Sequence, residues 1–392
     1  MKTETNSRAF LVLLVFLSMV GPLTLNILVP SMPGMAESLR APKESVQLTL
    51  SLYLMGMAAS QLVLGSLADR FGRRPVVVLA LITYVAASLA AFLAPTVEWL
   101  ILARILQSFG GTAGLTLART MIRDLHGRNT SASMIGYVTM ALMVAPMVAP
   151  LLGGLIDDFF GWRAIMIFCA ILGTVAFLIA ALSLPETRPV SFVVATWGDI
   201  GRRSGMLLRN ARFMGFLGTG AFCSSIYFVF IGTAPHLMID VLKLPKLQYG
   251  LWFVAIALAF MCGNYMSGRF AERVGVEHLI YRGNVISVVG AVIMLATSLF
   301  GQLSPVTLFL PIMLTSFAAG LVLPSAAAGG IGIDPQAAGA SSGLLGFSQM
   351  GLGALASFAG GKVTTDSALP LAGFILFFAF AALIAGWFAR RP

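Results

Sequence analysis

A basic side chain lies inside one of the long apolar runs of this sequence. Arg104 belongs to the stretch LARILQSFGGTAG, and Gln107 follows it one helical turn later. Insertion scales put an arginine at the centre of a membrane helix at about +2.5 to +3.5 kcal/mol, so an ionisable group there is a functional candidate. The alternative is snorkelling of the side chain toward the headgroups. Arg104 and Gln107 predict a polar site in apolar surroundings.

Asn26 is a second polar residue deep in an apolar run. At 1.5 Å per residue, Asn26 lies about 24 Å beyond Phe10 along the predicted helix. Arg104 is predicted at a similar depth, so the amide oxygen of Asn26 could accept a hydrogen bond from the guanidinium. An asparagine that only bridges two helices fits equally well. An amide does not titrate, so Asn26 cannot carry a proton.

A charged loop, GSLADRFGRRP, follows the second apolar run. Its glycines permit a tight turn and a close approach of helices. Its acid stands among arginines, which predicts a charge cluster. A loop that only sets orientation would explain the arginines but neither the acid nor the glycines. The residues of this cluster are Gly65, Asp69, Arg70, Gly72, Arg73 and Arg74.

The elements that must position these residues follow from composition. Of 392 residues, 58% are hydrophobic and 10% charged, whereas soluble domains carry roughly 25% charged residues. A membrane-spanning helix needs about 20 apolar residues, and twelve such runs are predicted. They lie near 9–29, 45–67, 75–93, 97–119, 134–155, 163–183, 213–234, 250–270, 278–299, 305–327, 340–361 and 369–389. The lipid bilayer is therefore a partner and a soluble enzyme is excluded.

The net charge of +10 indicates orientation rather than nucleic-acid binding, because the basic residues lie in short gaps between apolar runs. With a cytoplasmic N-terminus, 18 of the 25 basic residues fall on the cytoplasmic side, six fall opposite and one, Arg104, lies within a helix. Both termini are predicted to be cytoplasmic and the chain to lie in the inner membrane.

The two halves of the chain repeat one another. At an offset of 203 residues, GSLADRFG at Gly65 aligns with GRFAERVG at Gly268, and Pro42 aligns with Pro245. Duplicated bundles can rock about a site near the midplane and expose it alternately; the alternative is duplication that merely built a larger bundle. We predict a six-helix bundle over 1–187, a cytoplasmic linker over 188–212 and a second bundle over 213–392, with the substrate cavity between the bundles.

These features resemble the major facilitator superfamily, whose signature loop is similar to GSLADRFGRRP. The resemblance implies the twelve-helix major facilitator fold and a conformational latch. In that latch Asp69 would contact the start of the eleventh helix, an arginine of the loop would pair with Asp124, and Asp334 could serve as a further acidic partner. The superfamily's fourth-helix arginine motif agrees with a functional Arg104.

The fifth apolar run narrows the resemblance. Its prolines and small residues suit bending and close packing of any helix, but they also resemble the antiporter signature of drug:H+ antiporters. The doubled Ala-Pro form, with Trp162-Arg163 and LPET (184–187) beyond it, is similar to the bicyclomycin and chloramphenicol resistance (Bcr/CflA) branch. The signature residues are Pro146, Ala149, Pro150, Gly153 and Gly154.

One position departs from that branch, which usually has a first-helix acid where this chain has Asn26. All fifteen acidic residues fall in predicted loops or helix ends, so the residue that carries a coupled proton is open. An arginine without a buried acid favours neutral or anionic amphiphiles as substrates. Further polar contacts in the cavity are predicted from side chains that could instead face a neighbouring helix or lipid: Tyr53, Gln61, Gln107, Tyr137, Tyr227 and Gln349.

The leading hypothesis is export of small, mainly neutral drug-like compounds by alternating access, with the proton as coupling ion and no other cofactor or metal. The alternative is an uncoupled exporter or facilitator of a metabolite such as a sugar or amino acid, which Asn26 favours. A membrane enzyme or receptor would need a catalytic or sensing constellation that the sequence does not show. We expect a monomer.

Overall fold

The computed structural model describes residues 8–125, 138, 142, 144–188, 197–300, 303–334, 338–363 and 366–390. These residues form helices and no strand. Ten of the described helices are long and apolar enough to cross a membrane. The other two predicted runs, the fifth and the eleventh, correspond to Val144–Phe160 and Ala338–Lys362. The prediction of an all-helical, multi-pass membrane protein is confirmed.

The chain divides into two compact units, Met1–Val194 (unit 1) and Ala195–Pro392 (unit 2). In unit 1, α5 packs against three other helices, α1, α3 and α4, which places it centrally. The helices of unit 1 are α1 (Arg8–Ile27), α2 (Met32–Ser38), α3 (Lys43–Phe71), α4 (Arg73–Phe92), α5 (Val97–Leu125), α6 (Val144–Phe160) and α7 (Trp162–Ser183), with a 3-10 turn at Val29–Ser31.

Unit 2 has a similar arrangement, in which α9 packs against α12, α13 and α14. A π-helical turn, His236–Val241, continues α9 beyond Pro235. The aromatic rings of Phe230, Phe253 and Phe309 meet edge to face or tilted within this unit. The helices of unit 2 are α8 (Trp197–Arg209), α9 (Ala211–Pro235), α10 (Lys246–Val274), α11 (Val276–Phe300), α12 (Pro305–Ile333), α13 (Ala338–Lys362) and α14 (Leu369–Ala389).

The repeat extends to backbone conformation. α3 and α10 each have 29 residues and start after a proline. Each ends at a glycine with positive φ, Gly72 at 101° and Gly275 at 86°, a conformation that other residues rarely adopt. The two non-glycine residues with positive φ, Arg40 and Lys243, are also separated by the predicted offset. The two units therefore share local geometry at corresponding positions.

Two features go beyond the sequence predictions. Within the predicted linker over 188–212 lies a helix, α8, whose segment brings Leu207 against Phe213. The fifth apolar run was predicted to end near 155, but α6 continues to Phe160. Asp157 consequently lies in the last turn of a helix, and it is only 8% exposed.

Candidate functional site

Arg104 is enclosed within unit 1, with 1% of its side chain exposed. Its guanidinium Nη1 donates to Gln107 Oε1 at 2.6 Å. Nη1 and Nη2 also reach the backbone carbonyl of Thr24, at 3.4 and 3.3 Å. All of these acceptors are uncharged, so neutral oxygen atoms replace the water that a buried cation loses.

The carbonyl of Thr24 is a favourable partner because of its place in α1. Thr24 is the fourth residue from the end of α1, so its carbonyl is one of those in the last turn of the helix. These carbonyls form the negative end of the helix dipole, which stabilises a nearby cation. The sequence of α1 therefore supplies partial negative charge to Arg104 without a carboxylate.

An aromatic ring and a hydrogen-bonded network complete the surroundings of Arg104. The guanidinium carbon lies 4.0 Å from the centroid of the Tyr53 ring, within the range of a cation–π interaction. Gln107 Nε2 donates to Ser88 Oγ at 2.7 Å, and the hydroxyls of Thr24 and Tyr84 share a hydrogen bond. We call Thr24, Tyr53, Tyr84, Arg104 and Gln107 the arginine cluster.

One donor of the arginine cluster is unused. Arg104 Nε has no hydrogen-bond partner within the described residues. A buried donor without an acceptor costs about 1–3 kcal/mol.

Asn26 does not belong to the arginine cluster: of the two alternatives for Asn26, the hydrogen bond from Arg104 is not among those that the structure shows. The guanidinium donates to Gln107 and Thr24 instead, while Asn26 Nδ2 donates to the Pro22 carbonyl at 2.8 Å. Side chains two residues apart on a helix point about 200° apart. Arg104 can therefore contact the Thr24 carbonyl without reaching the Asn26 side chain.

The remaining predicted cavity residues come from both units. Gln61 is half-buried two turns beyond Tyr53 on α3, and its Nε2 has no partner in the described structure. In unit 2, Tyr227 is half-buried with its ring 5.5 Å from that of Phe228, and Gln349 lies against Gly220. Tyr137 lies outside the described residues.

The loop between α3 and α4 is held by Glu186, the acid of the LPET segment (184–187). Glu186 accepts hydrogen bonds from the backbone N–H groups of Arg73 (2.9 Å) and Arg74 (3.2 Å) at the start of α4. It also accepts from the N–H groups of Thr187 (3.0 Å) and Arg188 (2.9 Å). A carboxylate is stabilised at a helix N-terminus by these unpaired donors and by the helix dipole.

The side chains of the same loop are tied to α5 and to the segment after α7. Arg73 Nε lies 3.0 Å from Asp124 Oδ2 with its side chain 1% exposed. Arg188 donates to the Arg70 carbonyl at 2.7 Å. The structure thus brings one loop arginine together with Asp124, and we call Glu186 with Arg73 and Asp124 the loop clamp.

Backbone geometry at Gly72 is matched to the loop clamp. Its φ of 101° favours glycine, and a Cβ there would lie 2.5 Å from Glu186 Oε2. Gly65 differs from Gly72, since a Cβ at Gly65 would meet no described atom of unit 1 within 4 Å. The described part of unit 1 therefore shows no close approach at Gly65, and the prediction stays untested.

Two further acids, Asp69 and Asp334, belong to the predicted latch. The side chain of Asp69 lies outside what the structure describes. Asp334 ends α12 and is half-buried.

The contacts of Glu186 shift its pKa. Burial alone would raise the pKa of Glu186, but the hydrogen bonds from the four backbone N–H groups outweigh it and lower the pKa. The carboxylate is therefore the form that the folded loop clamp stabilises.

The small residues of α6 bring it against α1. Ala149 is fully buried, and a Cβ at Gly153 would clash with the Ile27 carbonyl oxygen. Gly154 and Pro150 are buried, and Pro146 is half-buried. α6 therefore packs against the end of α1 that supplies the Thr24 carbonyl.

A known protein family matches most of the chain. Residues 14–358 match the family described as the Major Facilitator Superfamily. The chain belongs to this superfamily. It is accordingly a multi-pass membrane transporter, and the family is not one of enzymes.

Named relatives of this superfamily protein include resistance proteins. It is 31% identical to Multidrug resistance protein D of Escherichia coli, over 91% of this chain and 89% of the relative. It is 32% identical to the Chloramphenicol resistance protein of Pseudomonas aeruginosa, over 76% of this chain and 70% of the relative. The predicted resemblance to resistance transporters is confirmed.

A solved structure supports the fold. A bacterial homolog of the human lysosomal transporter Spinster, crystallised in an inward-facing, unoccupied conformation, superposes with a TM-score of 0.69. The match covers 98% of this chain and 95% of the other at 17% identity, so it shows the shared major facilitator fold alone.

Proposed function

We propose that this protein exports small, mainly neutral drug-like compounds across the inner membrane by alternating access, driven by proton entry in antiport. Resistance proteins among its relatives support drugs as the substrate class. Its arginine distribution supports cytoplasmic termini, which makes the end of α9 face the periplasm. The protein acts as a monomer.

The observation that carries the substrate class is the arginine cluster. Arg104 bears a full positive charge, and its partners Gln107, Thr24 and Tyr53 are neutral. A fixed cation repels lipophilic cations and attracts hydrogen-bond acceptors and anions. Neutral or anionic amphiphiles are the compounds that such a site binds best.

In this proposal, movement of α1 gives the substrate access to Arg104. The guanidinium is enclosed while it holds the Thr24 carbonyl, and its Nε is unused. Movement of α1 would open the cluster, and a carbonyl, hydroxyl or nitro oxygen of the substrate would take the place of the Thr24 carbonyl.

The second candidate is an uncoupled exporter or facilitator of a small metabolite. Two observations favour it: Asn26 cannot titrate, and Arg104 has no carboxylate among its hydrogen-bond partners. Proton coupling and substrate class are therefore tested together.

Purified protein in proteoliposomes separates the two candidates. We expect chloramphenicol flux to rise severalfold when a pH gradient is imposed and to return to the basal rate when a protonophore collapses it. At the same gradient, ethidium, a lipophilic cation, should be carried more slowly than chloramphenicol. Protein-free liposomes give the leak. Flux that ignores the gradient would contradict antiport, and a preference for ethidium would contradict the proposed role of Arg104.

A further inference from the structure

A histidine bridges two carboxylates where α9 ends. His236 Nδ1 lies 2.8 Å from Asp240 Oδ2, and His236 Nε2 lies 3.4 Å from Asp366 Oδ1. Asp240 belongs to the same π-helical turn, whereas Asp366 lies in the segment between α13 and α14. His236 and Asp240 are largely buried, at 17% and 21% side-chain exposure, and Asp366 is 88% exposed.

The backbone of this segment is unusual. His236–Val241 is π-helical, a form that is rare and is often found at functional sites. Asp240 lies four positions after His236, a spacing that places two side chains on nearly the same face of a helix. Neither acid nor histidine is used by the arginine cluster or the loop clamp.

His236 can donate to both carboxylates only when its imidazole is protonated. A neutral imidazole has one N–H, so it can donate to one carboxylate only. An imidazolium has two N–H groups and can donate to Asp240 and Asp366 together. The bridge between α9 and the segment before α14 therefore depends on whether the imidazole of His236 carries a second proton.

The other charges at this end of unit 2 are lysines. The π turn packs against α9 and α10, and α10 is preceded by Lys243 and begins at Lys246. Of the helices packed against α9, α12 and α14 contain no charged residue and α13 has only Lys362 at its end. The Lys362 ammonium lies 4.8 Å from the Phe358 ring. Asp240 and Asp366 are thus the only acids at this end within the described residues.

We propose that His236, Asp240 and Asp366 form a proton-binding site at the end of α9. A proton from water binds the imidazole nitrogen that lacks hydrogen, and the resulting imidazolium fastens the π turn to the segment before α14. Loss of the proton to water releases one of the two contacts. With the proposed orientation, this site faces the periplasm, from which coupling protons enter.

This inference deepens the proposed function, and its role in transport rests on proton coupling. Asn26 stands where a titratable acid would be expected, so the site supplies a titratable group that the first helix lacks. Proton binding itself does not rest on transport, and it is tested separately.

Hydrogen–deuterium exchange of the purified protein tests proton binding. After correction for intrinsic rates, the segments around His236 and Asp366 should exchange about two- to fivefold more slowly at about pH 6 than at about pH 8, the change expected for a partly exposed charge-assisted contact. His236→Gln and Asp366→Asn should both remove this difference. His278→Gln, an exposed histidine at the opposite end of unit 2, is the matched control and should retain it.

Protection that is equal at the two pH values, or that persists in both His236→Gln and Asp366→Asn, would overturn the proposal. Asp366 is exposed, so its variant tests the site even where His236→Gln fails to fold. In proteoliposomes, His236→Gln should weaken the dependence of flux on the imposed pH gradient, and unchanged dependence would remove the site from coupling. If wild-type flux ignores the gradient, antiport fails while the exchange experiment still decides proton binding.

Discussion

At the scale of single residues, Arg104 is held by a geometry that lysine cannot reproduce. A planar guanidinium donates to Gln107 and Thr24 while it stacks on Tyr53. A lysine ammonium is a compact, strongly hydrated charge with no plane to stack. The contacts of Arg104 with Gln107, Thr24 and Tyr53 therefore depend on the shape of the cation as well as on its charge.

We expect Arg104→Lys and Arg104→Ala each to lower gradient-driven chloramphenicol export at least about tenfold, equivalent to about 1.4 kcal/mol. The alanine variant also leaves Gln107 Oε1 and the Thr24 carbonyl without their donor. Flux per inserted molecule in proteoliposomes is the measurement. Arg282→Lys, an exposed arginine in unit 2, should export normally. Full export by Arg104→Lys would show that charge alone suffices.

Glu186 makes the loop clamp sensitive to acid. Its pKa is lowered in the folded protein because, although burial opposes it, four backbone N–H groups stabilise the carboxylate. A group with a depressed pKa stabilises the fold above its unfolded value, about 4.3 for glutamate, and that contribution is lost as pH falls through the folded pKa.

Thermal unfolding across pH should therefore distinguish Glu186→Gln from the wild type. We expect the variant to unfold at lower temperature at neutral pH, and the difference to shrink below about pH 4.3 as the wild-type carboxylate is protonated. Glu37→Gln, exposed at the other end of unit 1, should match the wild type at neutral pH. A Glu186→Gln difference that does not change with pH would count against the clamp.

At the scale of elements, contact between α1 and α6 determines where the Thr24 carbonyl lies. Gly153 allows the Ile27 carbonyl to approach to a distance that no Cβ tolerates. The Thr24 carbonyl lies one turn earlier on α1. Separation of these helices would therefore also shift the partner of Arg104.

We expect Gly153→Ala to destabilise the protein by about 1–3 kcal/mol, the usual cost of overpacking, and to reduce export. Gly373→Ala is the matched control, because a Cβ there meets open space on α14. It should change stability by no more than about 1 kcal/mol, toward greater helix stability. The unfolding midpoint in detergent measures both. Equal midpoints would show that α1 and α6 can relax apart at little cost.

At the scale of the whole molecule, duplication explains why irregular backbone recurs. Gly72 and Gly275 have positive φ, and so have Arg40 and Lys243. Strained conformations persist only where the surroundings determine them. Their recurrence at one offset indicates that both units inherited the same helix-to-loop geometry, while side chains such as those of Arg104 and His236 diverged.

The amino-acid sequence by itself determined the membrane class, the repeat and the family. Hydropathy and charge distribution are sums over many residues, so small errors in helix ends leave them unchanged. The approximate position of the charged loop, and Arg104 as a buried cation, followed from the same local patterns. α8 was missed because it lies in a hydrophilic stretch without a long apolar run.

Only the tertiary structure decided which groups meet. The acceptor for Arg104 is a carbonyl 80 residues away, and the anion at the start of α4 comes from 113 residues away. Such partners depend on the rotation and axial register of packed helices to about an ångström, because hydrogen bonds fail beyond a narrow range of distance and angle. Asn26 and Thr24 are two positions apart on α1, and the direction in which α1 presents them selected the carbonyl of Thr24 rather than the amide of Asn26.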